Sequence, residues 1–327
     1  MTTFDVHEWT EKLTRRHPCR IRGFPVTVLV VGIVRRFLDV RVMGLAAEMT
    51  YYALLSFFPL IGALGSSLGF LERFIGTEAV VEVESTLLRW LDAVFSPELT
   101  SGIVAPMIRG LLEQERAGFA LGSFVISLFL ASRIFRSAID TLDAAYDVEE
   151  RRGTISLWIL GFLFSLGSIV TAAAILSMVV VGPLLGGGRA IAEWLGFGDA
   201  FQIAWALVRM PIVFIIATAF LSALYRFGPN IKNSWRHSLP GALVGMALLI
   251  LISVGFRLYL GVTGIDGPRI SDADEAVSIG AQAIGVLLAA LLWIWLSGIS
   301  ILTGGVVNAE LRHLRARDRT QESDACD

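Results

Sequence analysis

Six long apolar runs, near residues 44–70, 118–137, 155–185, 201–225, 239–262 and 280–307, organise this chain, and the charged positions collect in the segments between them. Each run meets or exceeds the roughly 20 residues a helix needs to cross a bilayer core. The pattern predicts an all-α polytopic membrane protein: a cytoplasmic tail over 1–23, a six-helix membrane domain over 24–311, and a second tail over 312–327. Two further elements fall outside the six runs. The short run Phe24–Val34 follows Arg15, Arg16, Arg20 and Arg22 but ends in Arg35-Arg36 rather than at a small-residue cleavage site, so it is not read as a secretory signal. It predicts a helix over 24–38, either lying at the inner interface with its arginines on anionic headgroups or packed beneath the bundle as a seventh element.

Between the first two runs, segment 71–117 is too long for a simple connection. Val80, Val83, Leu87, Trp90, Leu91 and Val94 recur at three-to-four spacing, Ser96-Pro97 interrupts, and Leu99, Ile103, Met107 and Leu111 begin a second stripe. This spacing predicts an outer amphipathic helical hairpin, serving as a lid over an outer cavity or as packing on the outer loops.

Composition supports the membrane class, because 55% of residues are hydrophobic, more than one soluble core requires. A net charge of −2 conceals a strong asymmetry. Segments 1–43, 133–154, 226–238 and 311–327 hold 19 Lys and Arg, whereas 71–117, 186–200 and 257–279 hold 7, and Arg209 stands inside a run. Eight acidic residues lie between Glu72 and Glu115. Positive charge over short loops marks the cytoplasmic side, so both termini are expected inside. Cys19 and Cys326 both fall in tails assigned to the reducing side, and no disulfide framework is expected.

Ionisable groups within the spans point to interior surfaces, because at mid-bilayer each costs about 2.5–3.5 kcal/mol on insertion scales. Arg133, Arg136, Asp140, Asp143 and Asp147 are spaced to share one helical face. That stripe either lines a water-filled inner vestibule or is a solvated helix extension with Arg136 paired to Asp140 and Arg133 snorkelling. Arg209 lies about eight residues, roughly 12 Å, from the outer end of its span, and Arg257 lies in the outer third of the fifth. Arginine keeps its proton, so both need an anion, water or carbonyls, or else snorkel to the outer rim. Glu48 is placed to pair with Arg133 at similar depth, and Glu310 closes the sixth span.

The sixth span carries Gly280, Gly285, Gly298, Gly304 and Gly305 with Ser297, Ser300 and Thr303, small surfaces suited to tight helix packing. Gly304-Gly305 offers a place for the helix to loosen. Pro59, Pro183 and Pro211 offer bends elsewhere.

Several motifs resemble one family. Ala46-Ala47-Glu48-Met49-Thr50-Tyr51-Tyr52, continuing to Pro59, is similar to the first-span motif of the YihY / virulence factor BrkB family of bacterial inner-membrane proteins. So are Ala131-Ser132-Arg133, Tyr225-Arg226-Phe227-Gly228-Pro229-Asn230, Leu239-Pro240-Gly241-Ala242 and Asn308-Ala309-Glu310-Leu311, in order across roughly 24–311. In the stretch Gly304–Ala309, Val306 stands where the family often has an acidic residue, which removes any role of that carboxylate here. The resemblance implies a six-span protein of the bacterial inner membrane and little chemistry.

Members of the family were once labelled a ribonuclease, and the residues argue against it. A hydrolytic nuclease needs clustered metal ligands or an acid–base pair. His7, His17, His237 and His313 are scattered, Asp140, Asp143 and Asp147 sit beside two arginines, and Asp272, Asp274 and Glu275 lack a calcium-loop pattern. No enzymatic activity, metal, cofactor or nucleic-acid partner is expected. The expected partners are membrane lipids and, through the outer hairpin, envelope proteins. Two functions stay open: a transporter or flippase for an anionic amphiphile, using Arg133, Arg136, Arg209, Arg257 and Glu48 along an Arg-lined cavity, or a non-transporting scaffold.

Overall fold

The computed structural model describes residues 20–21, 24–75, 117–178, 198–263 and 275–324. Over these residues the chain forms seven helices: α1 Val26–Asp39, α2 Val42–Ile75, α3 Ala117–Ala145, α4 Thr154–Leu176, α5 Gly198–Phe227, α6 Trp235–Thr263 and α7 Glu275–Asp324. Ahead of α1, Arg20–Ile21 pairs antiparallel with Phe24–Pro25 as the two-residue strands β1 and β2. Helices α2 to α7 each contain a stretch long and apolar enough to cross a membrane, as the six apolar runs predict.

Boundaries shift where the runs meet polar sequence. Residues 71–75, expected to open the hairpin, complete α2, and 76–116, the rest of that hairpin, lie outside the described residues, as does Pro183. Helix α7 continues to Asp324, so most of the expected tail 312–327 extends the last span. Gly304-Gly305 does not loosen α7, and Pro59, Pro211 and Pro240 lie inside helices that run on past them.

The division of side chains between inside and outside is the reverse of a soluble core. Large apolar residues such as Leu121, Ile155, Leu207 and Leu251 are exposed, whereas Ser132, Thr141, Ser165, Ser222 and Ser238 are fully buried. A bilayer gives no hydrophobic drive between helices, so close approach by small residues holds them together. Several buried hydroxyls return to their own helix: Thr141 donates to the Ser137 carbonyl at 2.7 Å and Ser165 to the Gly161 carbonyl at 2.8 Å. This local bond satisfies the hydroxyl without a partner on another helix.

Two compact units make up the chain. The first comprises Met1–Ala47, Phe135–Ile250 and Gly298–Asp327, the second Glu48–Ile134 and Leu251–Ser297. In the first, Phe135, Phe164 and Phe220 join α3, α4 and α5 in a three-ring cluster with centroids 5.9–6.3 Å apart. Ala46 is fully buried against α7, where a Cβ on Gly298 would fall 3.3 Å from the Ala46 Cβ. In the second, Ser127 of α3 donates to the Ser56 carbonyl of α2 at 3.0 Å. That bond lies beside the carbonyl that Pro59, lacking an N–H, leaves without a helical donor.

Candidate functional site

The ends of α3, α5 and α7 and the starts of α4 and α6 meet in the first unit, together with α1. Arg36 of α1 makes the first tie. It donates to the Ala145 carbonyl, to Asp147 at 2.9 Å and to Glu310 of α7 at 3.2 Å. His313 lies 3.0 Å from the same Asp147 carboxylate. A Cβ on Gly32 would land on the Glu310 carboxylate, so glycine at that position lets α1 lie against α7. Arg36 is therefore engaged by Ala145, Asp147 and Glu310, and α1 packs on α7 at this point.

Helix α3 stops for a local reason. Asp147 adopts φ 53°, its N–H bonds the Ala144 carbonyl at 3.2 Å, and the Val148 N–H bonds the Asp143 carbonyl at 3.0 Å, the Schellman arrangement with Asp at the left-handed position. The five-residue stripe therefore breaks: Asp147 sits past the helix end. Asp143 is buried, and Asp140 is exposed. The Asp143 carboxylate accepts the Asn230 N–H at 2.7 Å and lies 3.6 Å from Arg152.

Arg152 organises the neighbouring connection. It pairs with Glu150 at 2.6 Å and donates to the Gly228 and Phe227 carbonyls at 2.6 and 3.3 Å. A cation on the last carbonyls of α5 matches the negative end of the helix dipole. Gly228 ends α5 because a Cβ there would strike the Leu224 carbonyl and lie 3.1 Å from Leu142, and Pro229 cannot continue the helix. Burial pushes the Glu150 carboxyl up, but its bonds to Arg152 together outweigh this and hold it below the ordinary 4.5. A depressed folded value means stabilisation that is present above about pH 4.5 and lost as pH falls through the folded value. Melting curves of wild type and Glu150→Gln are thus expected to differ at neutral pH and to converge in acid; a constant gap would dismiss the ion pair as a source of stability. Burial also pushes Tyr146, beneath the Arg312 guanidinium, up to about 12.

A third tie joins two motifs far apart in sequence. Asn308 of α7 accepts the Gly241 N–H at 2.7 Å and donates to the Ser238 carbonyl at 2.8 Å, clamping α6 on both sides of Pro240. Gly241 and Gly304 touch backbone to backbone: a Cβ on Gly304 would fall 2.5 Å from the Gly241 carbonyl oxygen and from the Tyr225 hydroxyl. Tyr225, fully buried, donates to the Ile301 carbonyl at 2.5 Å. The glycines of α7 here are contact surfaces and not hinges.

Beside these ties lies an open cleft of about 660 Å³ between the α3–α4 and α5–α6 connections, lined among others by Arg151, Arg152, Arg226, Lys232, Asp147 and Glu149. Arg226 lies 5.0 and 4.8 Å from the Phe227 and Trp235 rings. None of its four basic residues is among the arginines that hydropathy singles out. Arg151, Arg152 and Lys232 fall in short polar loops and Arg226 in the last turn of α5, places where a basic residue carries no hydropathy signal.

The predicted site residues fall in both units. Arg133 is half-buried near the Tyr52 and Phe129 rings at 5.9 and 6.0 Å, and no ion pair joins it to Glu48, which is exposed. Arg136 stacks over Trp158 at 4.5 Å. Arg209 is half-buried, and its buried Nε has no hydrogen-bond partner among the described residues. Arg257 is exposed. Gly228, Pro229, Pro240, Gly241, Asn308 and Glu310 take part in the ties described above, and Pro59 belongs to the second unit.

Six apolar helices packed through small residues define a multi-pass helical membrane protein. The chain belongs to the virulence factor BrkB family, whose model matches residues 33–326. It is similar to the ribonuclease-like protein YfkH of Bacillus subtilis, 27% identical over 83% of this chain and 90% of that one. It is also similar to a UPF0761 membrane protein of Xanthomonas oryzae and to XAC0937 of Xanthomonas axonopodis, each 25% identical over 95% of this chain. The chain spans 65% of the length of those Xanthomonas relatives. No solved structure matches.

Proposed function

We propose that this protein moves an anionic amphiphile, an envelope lipid or lipid-linked precursor, across the bacterial inner membrane, with both termini cytoplasmic. The observation that carries the reading is Arg209: roughly three turns into α5, it keeps a buried Nε that no described residue satisfies. A guanidinium cannot shed its proton, and a buried unpartnered donor is costly, so an anionic ligand or water fits the vacancy in its bonding. Arg136 is a further candidate contact in the same unit, and Arg133, Arg257 and Glu48 are candidate contacts in the second. The test is reconstitution into liposomes with a headgroup-labelled anionic lipid. Wild type is expected to expose inner-leaflet label to an external quencher, and Arg209→Gln to slow this at least about tenfold, a loss of about 1.4 kcal/mol in the transition state, without changing the melting temperature. No lipid movement by folded wild type would end the transport reading.

A second reading has its own support. Arg36, Arg152, Tyr225 and Asn308 are all engaged by protein partners, as a scaffold presenting its outer segment 71–117 to envelope proteins would require. Under that reading Arg209→Gln has no effect on lipid, and deletion of 76–116 abolishes capture of the envelope partner.

A further inference from the structure

The cleft at the α3–α4 and α5–α6 connections is lined by four basic residues, Arg151, Arg152, Arg226 and Lys232, and two acidic ones, Asp147 and Glu149. Arg152 is paired with Glu150 and Asp143, and Asp147 with Arg36 and His313. Among the described residues Arg151 and Lys232 form no ion pair, and both are exposed. Arg226 is held at two aromatic rings, an interaction that keeps its full charge. Among the lining residues, Glu149 is the acidic group left to face these three cations, since Asp147 is already held by Arg36 and His313. An anion is the complementary ligand, and the volume suits a whole headgroup rather than one small ion.

The cleft also has an apolar border. Phe227, which lines it, and Trp235 make an edge-on pair at 5.9 Å, yet they are 50% and 48% exposed. They stand at the last residue of α5 and the first of α6, the position where amphipathic rings mark the membrane–water boundary. From Trp235 an exposed apolar stripe continues down α6 at four-residue steps through Leu239 and Leu243. Such spacing places all three on one helical face. A soluble phosphate has no use for that track, whereas an acyl chain does.

We propose that this cleft binds the phosphate headgroup of an anionic membrane lipid, with Arg226, Arg151 and Lys232 around the phosphate and the Phe227–Trp235 pair and the Leu239–Leu243 face along the acyl chain. The site is independent of transport: a protein that moves no lipid can still hold one here. Guanidinium and ammonium donors make charge-assisted bonds to phosphate oxygens, and Arg226 is held in place by its rings before the ligand arrives.

Native mass spectrometry of the full chain in detergent, spiked with defined lipids, tests it. Phosphatidylglycerol is expected to be retained in strong preference to phosphatidylcholine, whose headgroup carries a compensating cation. Arg151→Gln with Lys232→Gln, two exposed changes that break no ion pair among the described residues, is expected to weaken retention about fivefold for each charge removed at unchanged melting temperature. Adding Arg226→Gln weakens it further, and Trp235→Ala weakens lipid binding while leaving the charges intact. Equal retention of both lipids, or an unaffected double variant, would overturn the site. Glycerol phosphate or inorganic phosphate displacing the lipid at equal concentration would overturn the lipid assignment in favour of a soluble anion. Failure of the liposome assay with preferential retention intact removes transport alone.

Discussion

Valine in place of Gly304 is expected to cost the protein about 3 kcal/mol or more, at the upper end of overpacking changes, and to leave little monodisperse material in detergent. The reason is the nature of the neighbours. A Cβ at this position meets the Gly241 carbonyl oxygen and the Tyr225 hydroxyl at 2.5 Å and the Gly245 Cα at 3.1 Å. Two of the three are backbone of α6, which cannot rotate aside as a flexible side chain does, and the third is held by its bond to the Ile301 carbonyl. Relief requires α6 and α7 to separate, which also strains the Asn308 clamp. Gly285, on the same helix, supplies the control. A Cβ there meets nothing within 4 Å, so Gly285→Ala is expected to be neutral or to raise the melting temperature, alanine being favoured over glycine in a helix by about 1 kcal/mol. Equal tolerance of Gly304→Val and Gly285→Ala would mean that α6 and α7 do not meet as described.

Leucine at 308 is expected to destabilise by roughly 2–4 kcal/mol, since a buried polar group stripped of its partner costs about 1–3 kcal/mol and two are involved. The side chain is nearly the same size, so little of the loss comes from packing. The carboxamide serves both sides of Pro240: the Gly241 N–H donates to its oxygen and the Ser238 carbonyl accepts from its nitrogen. Asn308→Asp separates the two bonds. It keeps the acceptor for Gly241 but sets an oxygen against the Ser238 carbonyl, and it buries a charge, so it is expected to be no milder than leucine. Thermal melting of the two variants beside wild type measures this, and a leucine variant that melts with wild type would remove the clamp from the list of stabilising contacts.

How much was legible in advance depended on whether the signal was local. The six spans were, because a helix in lipid satisfies its own backbone and announces itself by length and apolarity alone. The end of the fourth run at 225 is read from hydropathy alone, within two residues of the end of α5 at Phe227. The end of α3 was not. A regular three-to-four spacing carried the charged stripe through Asp147, yet the chain takes a left-handed residue there without a glycine to signal it, and an aspartate at that position is uncommon though tolerated. The motif residues Pro240, Gly241 and Asn308 could be picked out as belonging together only by resemblance. The 67 residues from Gly241 to Asn308 and the 70 from Ser238 to Asn308 have no physical meaning until α6 and α7 lie side by side.

Charged residues divide along the same line. Arg133, Arg136, Arg209 and Arg257 drew notice because an arginine in an apolar run is costly, and that cost is visible one residue at a time. Arg36, Arg152 and Arg226 carry no such cost, since an arginine at a helix end is solvated, and their roles depend on which carbonyls, carboxylates and rings arrive from elsewhere. Hydropathy and charge alone therefore determine that this chain crosses a membrane six times, because insertion is a transfer between two solvents summed over each segment. Which glycines touch, which arginine caps which helix, and that a positively charged cleft opens beside two exposed rings are matters the packing of those segments decided, because hydrogen bonds and close contacts act over a few ångströms and read position in space rather than order along the chain.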